Sequence, residues 1–204
     1  MVLIGMTDSP FVRRVAISMK LLGLDFEHRH VSVFRQMDEF SRVNPVLKAP
    51  SFVCDDGTVL MDSTLILEEA EALAAPERRL MPREGRARRE ALRRIGLGLA
   101  ACDKAVQVHY ELTLRPAEKR HAPWIERVTA QALAAYAGLE ACLGDARPWF
   151  GGQRPDAADI MTAVAWRFGQ HYTAEQIPAA RFPALVEYSR RAEALPEFLS
   201  TPLD

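Results

Sequence analysis

The chain has 204 residues, of which 49% are hydrophobic and 26% charged, and its formal net charge is -1. This is the composition of an ordinary soluble globular protein, with room for one large domain or two small ones. Near-neutrality removes the electrostatic ground for a nucleic-acid partner, and no apolar run reaches the roughly 18 residues of a membrane-spanning helix.

The N-terminal stretch MVLIGMTDSPF has no basic leader pattern and begins folding signals at once, so no signal peptide is expected. Cys54, Cys102 and Cys142 are odd in number and far apart, which argues against a disulfide framework or a cysteine metal site. A reducing, cytoplasmic location fits that usage. None of the histidines forms an H-E-x-x-H pattern, and no metal is expected. His28 and His30 stand at strand spacing and read as the exposed face of an edge strand.

In chain order, VLIGM reads as a short strand and PFVRRVAISMKLLG as a helix ending at Gly23. FEHRHVSV is a second strand, and RQMDEFSRV a short helix before Asn44-Pro45. PSFVCDDGTVLM holds two apolar runs around Asp56-Gly57, a hairpin signal, and STLILEEAEALAA is a helix. The order β-α-β-α-β-β-α predicts a parallel pair with a right-handed crossover, extended by an antiparallel hairpin into a four-stranded, thioredoxin-like sheet. From about residue 86 the strand signals stop and four helical patterns follow, with Pro123 marking a kink or a late start in the second. The expected organisation is a thioredoxin-like domain over 1–76, a Pro- and charge-rich linker over 77–85 and an all-helical domain over 86–204. The cluster RARREALRR is interleaved with glutamate and reads as a solvated helical face.

Three helix starts differ in what they leave open. Asp156-Ala-Ala-Asp159 is a capping box in which acids take the free N–H groups. At Ser9, followed by Pro10, the corresponding third position is Val12, and at Ser63 it is Ile66. Those two starts are expected to keep N–H groups and a hydroxyl that no local acid consumes, the makings of an anion site. Ser63 can present its hydroxyl and N–H to a carboxylate while Asp62 takes an ammonium, which suits the α-amino-acid end of a small ligand. Ser9 can present its hydroxyl to a second group such as a thiolate. In Lys48-Ala49-Pro50 the proline belongs at a strand start, which leaves the Ala49 N–H and C=O available to an extended ligand backbone.

In this order, SPFVRRV, NPVLKAPSF, MDSTLILEE and DAADIMTAVAW resemble four motifs of the glutathione transferase family: the serine-containing first helix, the loop into the cis-proline strand, the acid-Ser γ-glutamyl motif and the folding-motif helix of the second domain. The resemblance covers essentially the whole chain. It implies a two-domain, Ser-type, cytoplasmic transferase that adds the glutathione thiolate to a small apolar electrophile in detoxification. By position it implies Ser9 at the glutathione sulfur, Ala49 with a cis Pro50 at the cysteinyl backbone, Asp62 and Ser63 at the γ-glutamyl end, and Lys48 near the glycyl carboxylate. It further implies a second-substrate cleft lined by Phe11, Val106, His109 and Tyr110, with Cys102 nearby, and a homodimer. The resemblance implies glutathione as the co-substrate, and neither metal, nucleic acid nor membrane is expected as a partner. A glutathione-dependent isomerase or dehalogenase shares the same sulfur site, and a non-catalytic binding module shares the fold. Many relatives carry Gly where Leu47 stands, and no Cys replaces Ser9.

Overall fold

A computed structural model describes residues 1–145 and 148–203. Asp204, where the helical half read from the sequence ends, lies outside them. Four strands, β1 (Val2–Ile4), β2 (Glu27–Arg29), β3 (Ser51–Val53) and β4 (Val59–Met61), form one sheet in the order β2-β1-β3-β4. β1 runs parallel to β2 and antiparallel to β3, and β3 is antiparallel to β4, with Leu3 facing His28 and Phe52, and Phe52 facing Leu60. Interleaved are α1 (Pro10–Leu22), α2 (Met37–Val43) and α3 (Ser63–Leu73), in the β-α-β-α-β-β-α order expected.

Local chemistry explains the boundaries. Gly23, at φ 72°, ends α1 with its N–H on Lys20 O and the next N–H on Met19 O, a Schellman closure that only an easy left-handed residue completes. Asp56 accepts from Thr58 N at 2.9 Å and fixes the β3–β4 hairpin. The apolar stripe of α1 buries Val12, Val15, Ile17, Met19 and Leu22, and the helix packs on β1 and α3, whose Leu3, Ile4 and Ile66 are buried as well.

The chain divides into two units. The first joins residues 1–81 to the segment from Leu195 onward, which contains α8 (Pro196–Leu199). The sequence groups that segment with the helical half, but specific contacts attach it to α1. Arg13, 1% exposed, donates from Nε to Thr201 O at 2.9 Å and stacks over Phe198 at 5.6 Å, and Lys20 Nζ reaches Ser200 O and Thr201 Oγ1 at 2.8 and 2.7 Å.

The second unit spans 82–194 and holds α4 (Gly85–Thr113), α5 (Ala122–Cys142), α6 (Ala157–Tyr172) and α7 (Pro183–Glu193). Pro123 is a late start: it occupies the first turn of α5, where a missing N–H does no harm. α6 is the buried axis of this unit, packing on α4 and α7. Its Asp156–Asp159 capping box is formed as expected, with Asp156 Oδ1 accepting from Asp159 N at 3.0 Å and Asp159 Oδ2 from Asp156 N at 2.7 Å. Arg86, Arg88, Arg89 and Arg93 of the basic cluster are exposed, and Arg94 stacks over Phe150 at 4.2 Å.

Candidate active site

The predicted glutathione residues all lie in the first unit, at the ends of elements that surround the β1 terminus. Ser9 is the N-cap of α1 and its Oγ accepts from Val12 N at 3.4 Å. That is longer than the usual N–H···O range of about 2.7–3.2 Å. Among the described residues its own hydroxyl proton is given to no acceptor. Phe11 follows on the first turn, half-buried.

The Ala49–Pro50 peptide is cis. The N–H and C=O of Ala49 make no hydrogen bond among the described residues, so both remain available to an extended chain. The loop carrying them is braced by buried Asn44. Its Nδ2 donates to Ser51 Oγ at 2.9 Å, its Oδ1 accepts from Val46 N at 3.0 Å, and Ser51 Oγ donates to Lys48 O at 2.9 Å. Leu47 adopts φ 54°. The left-handed backbone that glycine takes easily is thus present with a leucine in it, its side chain packed against the Ile4, Val31 and Phe40 cluster.

At α3 the structure corrects one expectation. Asp62, not Ser63, is the N-cap, and its Oδ1 accepts from Thr64 N at 2.9 Å. A local acid therefore does consume one of the N–H groups at this start, because the backbone at Asp62 turns through φ 74° and swings its carboxylate over the helix end. The other carboxylate oxygen stands 3.5 Å from Lys48 Nζ. Ser63 is 3% exposed and its Oγ accepts from Arg14 Nη1 at 3.1 Å, with Thr64 Oγ1 at 3.3 Å from the same nitrogen. With one lone pair engaged by a guanidinium, the Ser63 hydroxyl keeps its proton to donate. Arg14, 3% exposed, was missed from the sequence: its partners lie 49 and 50 positions away.

Three contacts bring these segments together. Gly5, at φ 143°, lies where a Cβ would stand 2.6 Å from Val12 Cγ2 and 3.2 Å from Ala49 Cβ, so β1 passes directly between the first turn of α1 and the Ala49 loop. Arg14 ties α1 to α3, and Lys48 ties the loop to Asp62. The site offers a donor hydroxyl at one helix start, an open backbone edge, and a carboxylate beside a guanidinium-backed hydroxyl at a second helix start. His28 Nε2 lies 3.0 Å from Gly5 O, and its ring stacks on His30 at 4.1 Å.

The remaining expected residues lie in the second unit, on α4. Val106 and His109 are half-buried, His109 packs 4.5 Å from Tyr172, and Tyr110 is 41% exposed. Cys102 is fully buried, so it is packing and not lining. Cys54 is half-buried, and burial with nearby Asp56, Glu69 and Asp55 pushes its thiol up, away from the reactive thiolate. Among the described residues no group of three or more His, Cys, Asp or Glu is arranged to hold a metal ion, and no helix is long and apolar enough to cross a membrane.

A mixed four-stranded sheet with interleaved helices, followed by a helical domain, defines a two-domain protein of the thioredoxin-like class. Residues 3–78 match the description Glutathione S-transferase, N-terminal domain, and residues 122–191 match Glutathione S-transferase, C-terminal domain. A glutathione S-transferase structure from Methylobacterium radiotolerans, in complex with glutathione sulfonate, is 30% identical, with a TM-score of 0.89 over 98% of this chain and 93% of that one. A glutathione transferase family member from Pseudomonas fluorescens, with bound S-(propanoic acid)-glutathione, is 27% identical, with a TM-score of 0.80 over 98% of each chain. A maleylacetoacetate isomerase of Pseudomonas aeruginosa is 28% identical over 91% of this chain and 87% of its own length. The chain belongs to the glutathione S-transferase family.

Proposed function

We propose that this protein binds glutathione in the first unit and transfers its sulfur to a small electrophile. The observation that carries the reading is the unspent hydroxyl proton of Ser9 at the start of α1. It can hydrogen-bond a thiolate whose tripeptide pairs with the Ala49 backbone and whose γ-glutamyl carboxylate meets Ser63, with Asp62 at its ammonium and Lys48 near the glycyl carboxylate. Free thiols have a pKa near ~8.5, so only a few per cent is thiolate at neutral pH. A hydrogen bond to a charged group contributes about 1.5–3 kcal/mol, and a helix N-terminus adds about 0.3–1 kcal/mol. Together these lower the thiol pKa by about 1.3–2.9 units, which raises the thiolate from a few per cent to a large share at neutral pH. Its lone pair then forms the C–S bond, and either a leaving group departs or the addition is completed by a proton from water. Phe11, Val106, His109 and Tyr110 are proposed to face the electrophile. We take the protein to act in the cytoplasm as a homodimer.

A second reading has a specific observation in its favour. The relative from Pseudomonas aeruginosa is a maleylacetoacetate isomerase, and reversible thiolate addition to an activated double bond, rotation and elimination would use the same Ser9 site without consuming glutathione. Calorimetric titration with reduced glutathione, on the wild type and on Ser63→Ala, tests the common part: saturable binding weakened by the substitution is expected, and no binding at millimolar glutathione refutes both. Turnover of aryl halides, enones and cis-configured unsaturated diketo acids then separates conjugation, which consumes glutathione, from isomerisation, which does not.

A further inference from the structure

A groove of about 520 Å³ runs between the C-terminal half of α4 and the beginning of α5, wholly inside the second unit. Its lining includes Gln107, Tyr110, Leu114, Arg115, Lys119 and Trp124. Three of these are large apolar groups left open to solvent: Tyr110 is 41% exposed, Leu114 59% and Trp124 40%. Two ring-bearing side chains and a leucine on one groove make a surface suited to a flat apolar body.

The polar lining is more selective. Glu111 is neutralised in place, Oε2 accepting from Arg115 Nε at 2.8 Å and Oε1 from His121 N at 3.1 Å, which holds its carboxyl below the usual range. Lys119 pairs with no carboxylate among the described residues, so the groove keeps one uncompensated cation. Gln107 supplies the opposite function. Its Nε2 donates to Asp103 Oδ2 at 3.0 Å, which fixes the sense of the amide, and its Oε1 is buried with no partner among the described residues. A buried acceptor left unpaired is unfavourable and is relieved by any donor that reaches it.

We infer that this groove binds a small aromatic acid that also carries a hydroxyl or N–H donor: the ring lies among Tyr110, Leu114 and Trp124, the anion meets Lys119, and the donor satisfies Gln107. The inference rests on the proposed function in one respect. Tyr110 is also one of the residues proposed to face the electrophile, so on that reading the groove would favour electrophiles that carry an aromatic ring and a carboxylate.

The test is calorimetric, on the full chain, with 4-hydroxybenzoate, its methyl ester and benzoate as probes, and with glutathione titrated separately. Saturable binding of 4-hydroxybenzoate is expected. Lys119→Glu, an exposed and unpaired position, should weaken the acid about fivefold, the scale of an exposed charge pair with reversal, and leave the ester unchanged. Gln107→Leu should weaken 4-hydroxybenzoate and leave benzoate unchanged. Absence of saturable binding at millimolar 4-hydroxybenzoate, or equal losses for acid and ester in Lys119→Glu, overturns the inference. Glutathione binding without 4-hydroxybenzoate binding defeats the groove alone; the reverse result defeats the transferase reading and leaves the groove standing.

Discussion

Ser9→Ala separates the two roles that one hydroxyl can play. As a cap, Ser9 holds Val12 N at 3.4 Å, a weak bond longer than the usual range. Its loss should therefore fall at the low end for N-caps, about 0.5 kcal/mol, or about 1–2 °C in melting temperature for a chain of this size. As a thiolate donor it contributes about 1.5–3 kcal/mol. At about 1.36 kcal/mol per unit that is a rise of about one to two pKa units in the bound thiol. The assay is the near-ultraviolet thiolate absorbance of the protein–glutathione complex as a function of pH, with binding of the thiol form measured alongside by calorimetry. The expected result is a thiolate titration displaced upward by about one unit or more, nearly unchanged affinity for the thiol form, and an acid limb of kcat/KM displaced by the same amount. An unchanged titration with full binding would remove Ser9 from the chemistry. A loss of many degrees in stability together with binding would make it a structural cap and nothing more.

Other substitutions probe the frame around it. Gly5→Ala places a Cβ 2.6 Å from Val12 Cγ2 on a backbone at φ 143°; thermal unfolding should show a loss of about 2–4 kcal/mol, whereas Gly57→Ala, with open space around it, should lose about 1 kcal/mol. Arg14→Met should weaken glutathione about tenfold, the scale of one lost charge-assisted hydrogen bond. Adding Ser63→Ala to it should weaken binding little further, because the two act as one unit; full additivity in the double-mutant cycle contradicts the role given to Arg14. Asp159 is pushed up to about 7 by burial and by Asp156, against an ordinary 3.8. The folded state therefore holds this proton where the unfolded chain has lost it. That contribution is complete below about 3.8 and disappears as pH rises through about 7. Urea unfolding should lose stability over that window in the wild type, and the slope should flatten in Asp159→Asn; an identical slope in both excludes Asp159 as its source.

The sheet and its order were legible because each connection has a local sign: the crossover period of α1, the Asp56-Gly57 turn and the helix signals between them. Three elements of the candidate site were visible for the same reason, since Ser9-Pro10, Ala49-Pro50 and Asp62-Ser63 are short-range patterns at element boundaries. What escaped was long-range or conformational. Arg14 differs from any solvated helical arginine only in having Ser63 and Thr64 across the helix pair. The shift of the α3 cap from Ser63 to Asp62 depends on a φ of 74° that no neighbouring residue announces. Period fixes that the last helices are amphipathic but not which surface each covers, so the packing of Phe198 and Thr201 against Arg13 was invisible. Asn44 was visible only as a turn residue before Pro45, although its amide organises the loop that presents Ala49.

Strain and charge at the site point the same way. Leu47 and Asp62 are the non-glycine residues with positive φ among those described, and they flank the two segments that would hold a tripeptide. Such backbone is unfavourable by about 1–2 kcal/mol per residue. Leu47 offsets its share by packing on the Ile4, Val31 and Phe40 cluster, and Asp62 by capping Thr64. Neither conformation is needed to build the sheet, since β3 and β4 pair through Ser51–Met61 and Val53–Val59 regardless. Both are needed to set the Ala49 backbone and the start of α3 where they stand. The charges follow the same division. The chain as a whole is at -1, and around these segments and the start of α1 Arg14 and Lys48 are matched by Asp8 and Asp62, so the net positive potential there comes from the N-terminus of α1. Glutathione brings two carboxylates and one ammonium, and a further negative charge once its sulfur ionises. On the proposed reading, the start of α1 favours the ionised sulfur over the neutral one, and Lys48 and the Arg14-backed Ser63 would hold the tripeptide's carboxylates so that its sulfur stands at Ser9.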